Sequence, residues 1–214
     1  MPNTVSKKDK AYQAIKQAVI AGQLEPAQVY SITELSETSK VGRTPAREAL
    51  VILTSEGLIE PYPRSGYQVK SLSIHDVLDI FHPRSVIEVE TVGLAAKRIT
   101  DDDICLLEEN NRLEKESALS TRTHETNKTY RKGYELNLGF HLTIARASGN
   151  NRMADLVEKL LNELERVLAH DPYIAEPKQH VEILEGLKRR DKPGSQEAMK
   201  KHLEDTKNRS LSRF

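Results

Sequence analysis

Apolar residues recur at helical spacing along most of the chain. Tyr12, Ile15 and Val19 mark a helix over residues 8–21 that Gly22 stops. Residues 23–30 read as a short connection containing Pro26. Ser31-Ile-Thr-Glu34 is a capping box: the serine hydroxyl takes the N3 amide and the glutamate reaches back. It opens a short helix over 32–38 with Leu35 turned inward. Ala46, Ala49, Leu50 and Leu53 form the inner stripe of a third helix that runs to about Glu56, where Gly57 ends it. Pro45 fits only in the first turn of that helix, where a missing N–H has no intrahelical partner anyway. The helix therefore starts near Gly42 or Arg43. Then the period changes. Residues 58–62 and 67–70, around a turn at 63–66, read as a two-stranded hairpin, with Pro61 confining its strand to an edge.

After a short linker at Ser71–Ser73 the helical period returns. Val77, Ile80, Val86, Ile87 and Leu94 predict a helix over 73–97, with Pro83 expected to kink or break it. A second helix spans 101–119 and opens on three acids that suit the positive end of its dipole. Residues 120–128 are polar and read as a loop. Further helices are predicted over 130–147, 151–169, 177–190 and 195–208. The one over 151–169 is the most regular, with Met153, Leu156, Val157, Leu160, Leu161, Leu164, Val167 and Leu168 on one side. Strong strand patterns are absent here. The pattern predicts a mainly α protein: an N-terminal winged helix-turn-helix with a small β-hairpin wing over 1–72, and a C-terminal all-α helical bundle over 73–214.

Composition narrows the picture only slightly. The 214 residues carry 32 Lys and Arg against 32 Asp and Glu, so no global basic field exists. Residues 1–70 hold nine basic and seven acidic side chains, the sign expected of a half that meets phosphates. The single Cys105 excludes an internal disulfide and fits a reducing compartment. No apolar run approaches membrane-spanning length, and the first ten residues lack a signal-peptide core, so no membrane partner is expected.

Candidate chemistry lies in both halves. Arg43 and Arg47 are four apart and share one helix face, in the first turns of the third helix. The N-terminal part of a recognition helix touches base edges and phosphates. Read alone, this is an amphipathic helix with two solvated arginines; beside a helix-turn-helix and a wing it reads as a DNA contact. Arg64-Ser65-Gly66 at the wing tip combines a cation with a residue that permits close backbone approach. In the rear half, Asn137 and His141 are four apart on one helix and reach a common point. His180 opens the stripe Ile183, Leu184, Leu187, and His202 joins Ala198, Met199 and Leu203. Three histidines on the inner faces of three helices would converge inside the bundle, either as buried polar side chains or as ligands for Zn, Ni, Mn or Fe. Arg84 sits near the apolar face of the first rear helix, either bridging Glu88 or offering its guanidinium fork to a carboxylate. His75, His82, His124 and His170 have no convergent partners in the pattern and read as surface residues.

These residues resemble a known family. Gly22-x-Leu24-x-Pro26, Leu35, Arg43-Thr-Pro-x-Arg47-Glu-Ala-Leu50, Leu53, Glu56-Gly-Leu58 and Arg64-x-Gly66-Tyr-x-Val69 look like the GntR family of bacterial transcriptional regulators. By position, the resemblance implies helix contacts to DNA from Arg43, Thr44 and Arg47, and wing contacts from Arg64 and Gly66. Gly42 stands where the family usually has a capping Ser or Thr, and Ala27 where it usually has Gly. Residues 75–205 resemble the FCD ligand-binding domain of the FadR subfamily, through Arg84-x-x-Ile87-Glu88, Leu94-Ala-Ala96, Asn137-x-x-Phe140-His141, Ser148-Gly-Asn150, His180-x-x-Ile183-Leu184, Asp191, Ala198 and His202. That resemblance implies a divalent metal ion held by Asn137, His141, His180 and His202, and a small organic acid bound between metal and Arg84. Asn137 replaces the commoner Asp, so the site loses one negative charge.

The expected protein is a homodimeric regulator in the bacterial cytoplasm, on the nucleoid, reading a palindromic double-stranded operator under the control of a small carboxylate effector. Two rivals differ in class or mechanism. One is a helical metal-dependent hydrolase fused to a DNA-binding module, in which three histidines with open positions activate water, although no general base is visible beside them. The other is a regulator whose metal is purely structural.

Overall fold

The computed structural model describes residues 6–120, 126–168, 178–212 and 214. The chain divides into two compact units, Met1–Leu72 and Ser73–Phe214. No helix among the described residues is long and apolar enough to cross a membrane.

The first unit runs α1 (Lys7–Ile20), β1 (Val29–Tyr30), α2 (Ile32–Ser39), α3 (Arg43–Ser55), β2 (Ile59–Tyr62) and β3 (Gly66–Val69). Ser31 and Glu34 form the expected capping box at the start of α2. Gly42 is the N-cap of α3 and, lacking a side chain, supplies no cap hydrogen bond. Pro45 lies in the first turn, and the helix runs on to Ser55, with Gly57 left-handed just beyond. Ala46, Ala49, Leu50 and Leu53 are completely buried, and Leu50 and Leu53 share a core with Ile15, Leu35, Leu58, Ile59 and Val69. At the far end of α3, Tyr12 donates to Glu56 at 2.6 Å while Lys16 approaches the same carboxylate at 3.6 Å. Burial and the bond to Glu56 push the Tyr12 hydroxyl up to about 12. This cluster ties α1 to the end of the recognition helix.

The wing differs from the expected hairpin. It is a three-stranded antiparallel sheet in the order β1-β3-β2, because Val29 and Tyr30 pair with Gln68 and Tyr67. Two residues are too few to show a period, so β1 read as connection. Pro61 lies in β2, an edge strand, where a missing donor leaves no ladder bond unmade. Ala27, just before β1, is held at φ +62°, and its N–H donates to the Val69 carbonyl at 2.8 Å. That left-handed geometry explains why glycine would suit the position better than alanine.

The second unit comprises α4 (Ile74–Arg98), α5 (Asp101–Ser120), α6 (Thr126–Ala147), α7 (Asn151–Leu168), α8 (Lys178–Lys188) and α9 (Lys192–Leu211). Two helix starts differ from the expectation, and of the kink or break expected at Pro83 the break does not occur. Pro83 does not break α4, which runs 25 residues through it. The proline removes the bond to the Asp79 carbonyl, but the buried side chains on either side of it, Val77, Ile80 and Phe81 before and Arg84 and Glu88 after, hold the helix together. Helix α6 starts at Thr126, so residues 126–128 are helical and not loop. Helix α9 starts at Lys192: Pro193 and Gly194 occupy its first turn, where Asp191 caps the Gly194 amide at 3.1 Å. Val86 on α4 and Leu156 on α7, expected inside, are 61% and 49% exposed. His75 and His82 are exposed, whereas His124 and His170 lie outside the described residues.

The core of this unit joins Val92, Ala95 and Ile99 of α4 and its cap to Leu107, Phe140, Ile144, Ile183, Leu187, Met199 and Leu203. Helix α9 approaches its neighbours closely at two glycines. A Cβ on Gly93 would lie 2.7 Å from Gln196, whose amide donates to the Val89 carbonyl, and one on Gly186 would meet the Ser195 backbone at 3.1 Å. Small residues at these points let α4, α8 and α9 bring their side chains to one centre.

Replacing Ala27 by Gly should stabilise the protein. Left-handed geometry costs a non-glycine residue roughly 1–2 kcal/mol, and the extra freedom of glycine in the unfolded chain takes back about 0.4–1 kcal/mol. A gain of about 0.5–1 kcal/mol in urea unfolding is expected. A loss of that size would mean that the backbone at Ala27 is not left-handed.

Candidate functional site

On α3 the buried stripe fixes what remains outside. Arg43, Thr44, Arg47, Glu48 and Val51 are all exposed on the opposite side. Among the described residues neither Arg43 nor Arg47 has an acidic partner, and Arg64 has none. These three guanidinium groups are free to meet phosphates or base edges. Arg64, at the tip between β2 and β3, is itself left-handed at φ +65°. Gly66 is explained from within the fold: its φ is +136°, and a Cβ there would collide with the Tyr30 carbonyl and lie 3.0 Å from the Ser31 Cα. Any larger residue would push β3 away from β1.

In the bundle, α6, α8 and α9 carry His141, His180 and His202 to one buried place. Their ligand nitrogens all lie within 4.8 Å of one another. The ring centroids are 5.3 Å apart for His141 and His180, 5.2 Å for His141 and His202, and 4.9 Å for His180 and His202. Phe140, one residue before His141, stacks on His180 at 4.1 Å and 7°, fixing that ring's plane. Asn137 is buried too, its amide nitrogen 3.5 Å from His180 Nε2. An amide flip would turn its oxygen to the same point.

Two buried carboxylates orient the rings. Glu88 Oε1 accepts from Arg84 Nε at 2.5 Å, and Oε2 lies 2.5 Å from His141 Nδ1. Burial pushes the Glu88 carboxyl up, but the Arg84 guanidinium and His141 overcome this and hold it down at about 2. An ionised Glu88 makes His141 Nδ1 the donor and leaves Nε2 with a bare lone pair. That Nε2 is buried without a hydrogen-bond partner. Burial, aided by Arg84 and His180, also holds His141 below the usual histidine range despite Glu88. On the other side, His180 Nδ1 lies 2.9 Å and 3.1 Å from the two oxygens of Glu114 on α5. This again leaves Nε2 toward the centre. His202 is driven well below the usual range by burial and by the other two imidazoles, and its Nδ1 is another orphan. His141 and His202 each keep a buried nitrogen without a partner, and His141 and His180 each have a carboxylate on the far nitrogen, the arrangement that backs histidine ligands of metal ions. The triad is able to hold a divalent ion, and the orphaned nitrogens give it a reason to.

Arg84 is buried, 1% exposed, with Phe81 5.2 Å from its guanidinium carbon. Of its two alternatives, the bridge to Glu88 is present. Glu114 escaped the sequence reading. Its signal was there: Leu107, Asn111, Glu114 and Ser117 share one helix face, so the stripe that should be apolar turns polar, and all four are buried. A cavity of about 80 Å³ lies beside His202, lined in part by Lys178, Lys201, Asp205 and Arg209. That is far below the few hundred Å³ of a metabolite pocket.

Glu88→Ala should strand Arg84 and His141 in the interior and cost about 3–5 kcal/mol of stability. Urea unfolding would measure it. A cost below about 1 kcal/mol would show that the bridge is not a structural element.

Comparison with known proteins places both halves. Residues 7–69 match the sequence family described as bacterial regulatory proteins, gntR family, and residues 79–205 match the FCD domain. The uncharacterised HTH-type transcriptional regulator YdhC of Bacillus subtilis is 27% identical over 90% of this chain and 84% of its own length. The HTH-type transcriptional repressor RspR of Escherichia coli is also 27% identical, over 91% and 84%. Among solved structures, E. coli McbR/YncC shares the fold with a TM-score of 0.76 at 20% identity, covering 98% of this chain and 99% of that one. A GntR regulator from Rhodococcus sp. RHA1 follows with a TM-score of 0.72 at 21% identity, over 97% and 98%. With a winged helix-turn-helix in front and an FCD bundle behind, the chain belongs to the GntR family of DNA-binding transcriptional regulators, in the architecture of its FadR subfamily.

Proposed function

We propose that this regulator reads a palindromic operator as a homodimer and that a small carboxylate, bound at a metal ion in the rear bundle, sets its affinity for DNA. The convergence of three buried imidazoles, two of which keep a nitrogen without a hydrogen-bond partner, carries the sensing half of this reading. Asn137, His141, His180 and His202 would hold the ion, which would supply Lewis acidity and an open position for a carboxylate oxygen. Charge supports that ligand class. Asn137 adds no charge to the centre and Glu88 is already engaged by Arg84 and His141, so a divalent ion there would keep positive charge for a carboxylate to neutralise. Arg84 would add its terminal N–H groups or act through Glu88.

In the front unit, Arg43, Thr44 and Arg47 would meet bases and phosphates, and Arg64 and the Gly66 backbone would meet the adjoining strand. Exposed Val86 and Leu156, on the mutually packed α4 and α7, supply apolar surface for a second copy. The effector shifts DNA affinity only as far as it binds the two states differently. The simplest output is release from or retention on the operator, and one relative is named a repressor. A hydrolase reading finds less support, because both carboxylates beside the histidines are already engaged on imidazole nitrogens.

Native mass spectrometry with elemental analysis tests the sensing half. Dimers carrying about one divalent ion per chain are expected, and His141→Ala or His180→Ala should lose the ion. Protein that retains no Zn, Ni, Mn or Fe after loading and desalting would refute the metal. Glu114→Gln should weaken metal retention about 10–100-fold while the fold survives, the range typical of carboxylates behind histidine ligands. Equal retention by wild type and variant would assign Glu114 to packing. On the DNA side, Arg47→Ala should cost about 1–3 kcal/mol in operator affinity and relax preference at one base pair. Unchanged gel-shift titrations would remove Arg47 from the contact.

A further inference from the structure

The exposed face of α3 has an apolar centre. At 100° per residue, Arg43, Arg47 and Val51 climb one side of the helix at intervals of four, with Thr44 and Glu48 beside them. The buried stripe of Ala46, Ala49, Leu50 and Leu53 lies opposite. Val51 falls near the middle of the exposed arc, pointing away from the core, and is 68% exposed. No other large hydrophobic in the described part of this unit is as exposed; Tyr62 on the wing follows at 46%. Isolated surface valines are ordinary. This one sits on the face that the proposed function turns to DNA, beside two arginines without acidic partners among the described residues. A β-branched residue is also a weak choice for a solvated helix position, where straight-chain residues lose less freedom.

We propose that Val51 is a specificity-determining residue that reads the C5-methyl group of a thymine in the major groove. The proposal rests on the reading of α3 as the base-contacting helix. Among major-groove features, only the thymine methyl is apolar, so it is the one that an isopropyl group recognises by contact. With a rise of 1.5 Å per residue, Val51 lies about 6 Å along the axis from Arg47. It therefore meets a base within about two steps of the one Arg47 reads. The arginines supply attraction and polar readout, and the valine adds a test for a methyl group that no polar side chain performs. Glu48, next to it, favours a cytosine amine or disfavours a close phosphate, which keeps the contact over base edges.

The test uses the full-length protein. In vitro selection from random duplexes defines a site for the wild type. Each thymine of that site is then replaced singly by deoxyuridine, which deletes only the methyl. One thymine per half-site is expected to weaken wild-type binding about three- to tenfold when its methyl is removed. Val51→Ala, which suits a helix, should bind the thymine duplex more weakly by a similar factor and be indifferent to that methyl. Its circular dichroism and its binding to random-sequence DNA should match the wild type. The proposal is overturned if no single methyl matters to the wild type, or if Val51→Ala keeps the full methyl dependence. It also falls if Val51→Ala changes only the oligomeric state, which would make this face a protein contact. A wild type that enriches no sequence at all sinks base reading by α3 as well, whereas enrichment without methyl dependence sinks only the role of Val51.

Discussion

A single carboxylate placed inside a helical bundle organises the rear half of this protein. Glu88 sits where burial strongly disfavours its charge, yet it stays ionised because Arg84 one turn earlier and His141 from α6 each take one of its oxygens. A charge held this way demands geometry. Both helices must present their side chains at one depth and one rotation, and His141 must carry its proton on the nitrogen facing Glu88. The consequence reaches beyond the pair. The opposite nitrogen of His141 is left bare and buried, which an interior otherwise avoids, and His180 is turned the same way by Glu114 from α5. Five helices, α4, α5, α6, α8 and α9, thus commit polar groups to one point. A simple buried polar cluster would have paired those nitrogens with each other or with hydroxyls.

Asn137 changes the electrical balance of that point. The family resemblance leads one to expect an aspartate there, and an aspartate would add a third negative charge. With asparagine, the surrounding groups carry a smaller negative charge, so a bound cation would be less fully neutralised by the protein. Such a centre would hold an ion less tightly and attract an external anion more strongly. On the proposed sensing role, that trade would link affinity for metal to affinity for effector through one side chain. It also makes the position of Phe140 matter. Stacked on His180, that ring keeps the imidazole in plane although neither Asn137 nor His202 pins it by a strong bond.

The front unit solves the opposite problem. On the proposed reading its exposed arginines stay unsatisfied until DNA arrives, and α3 is held from behind. The apolar stripe packs on Ile15 and Leu35, and the Tyr12–Lys16–Glu56 cluster anchors its far end. The wing is braced by β1, with Gly66 permitting the backbone approach that the third strand requires. A rigid presentation matters because base readout is a matter of fractions of an ångström, whereas phosphate attraction is not.

Much of this was legible in the residues themselves. The recognition helix, its start at Gly42, its inward stripe, the capping box at Ser31 and the three histidine-bearing helices follow from periodicity and from local rules about caps, glycine and proline, all of which act within one or two turns. What escaped was whatever depends on a distant neighbour. Strand β1 exists only because β3 lies alongside it. Pro83 is carried within α4 because side chains on both sides of it pack into the interior. Val86 and Leu156 point outward because none of the described helices covers them. Glu114 acquired its meaning only when α5 was laid against α8, since a glutamate among glutamates looks solvated until an imidazole 66 positions away meets it. Periodicity says which face is inside; only the packed structure decides which inside atoms touch, and a buried charge is settled by its contacts.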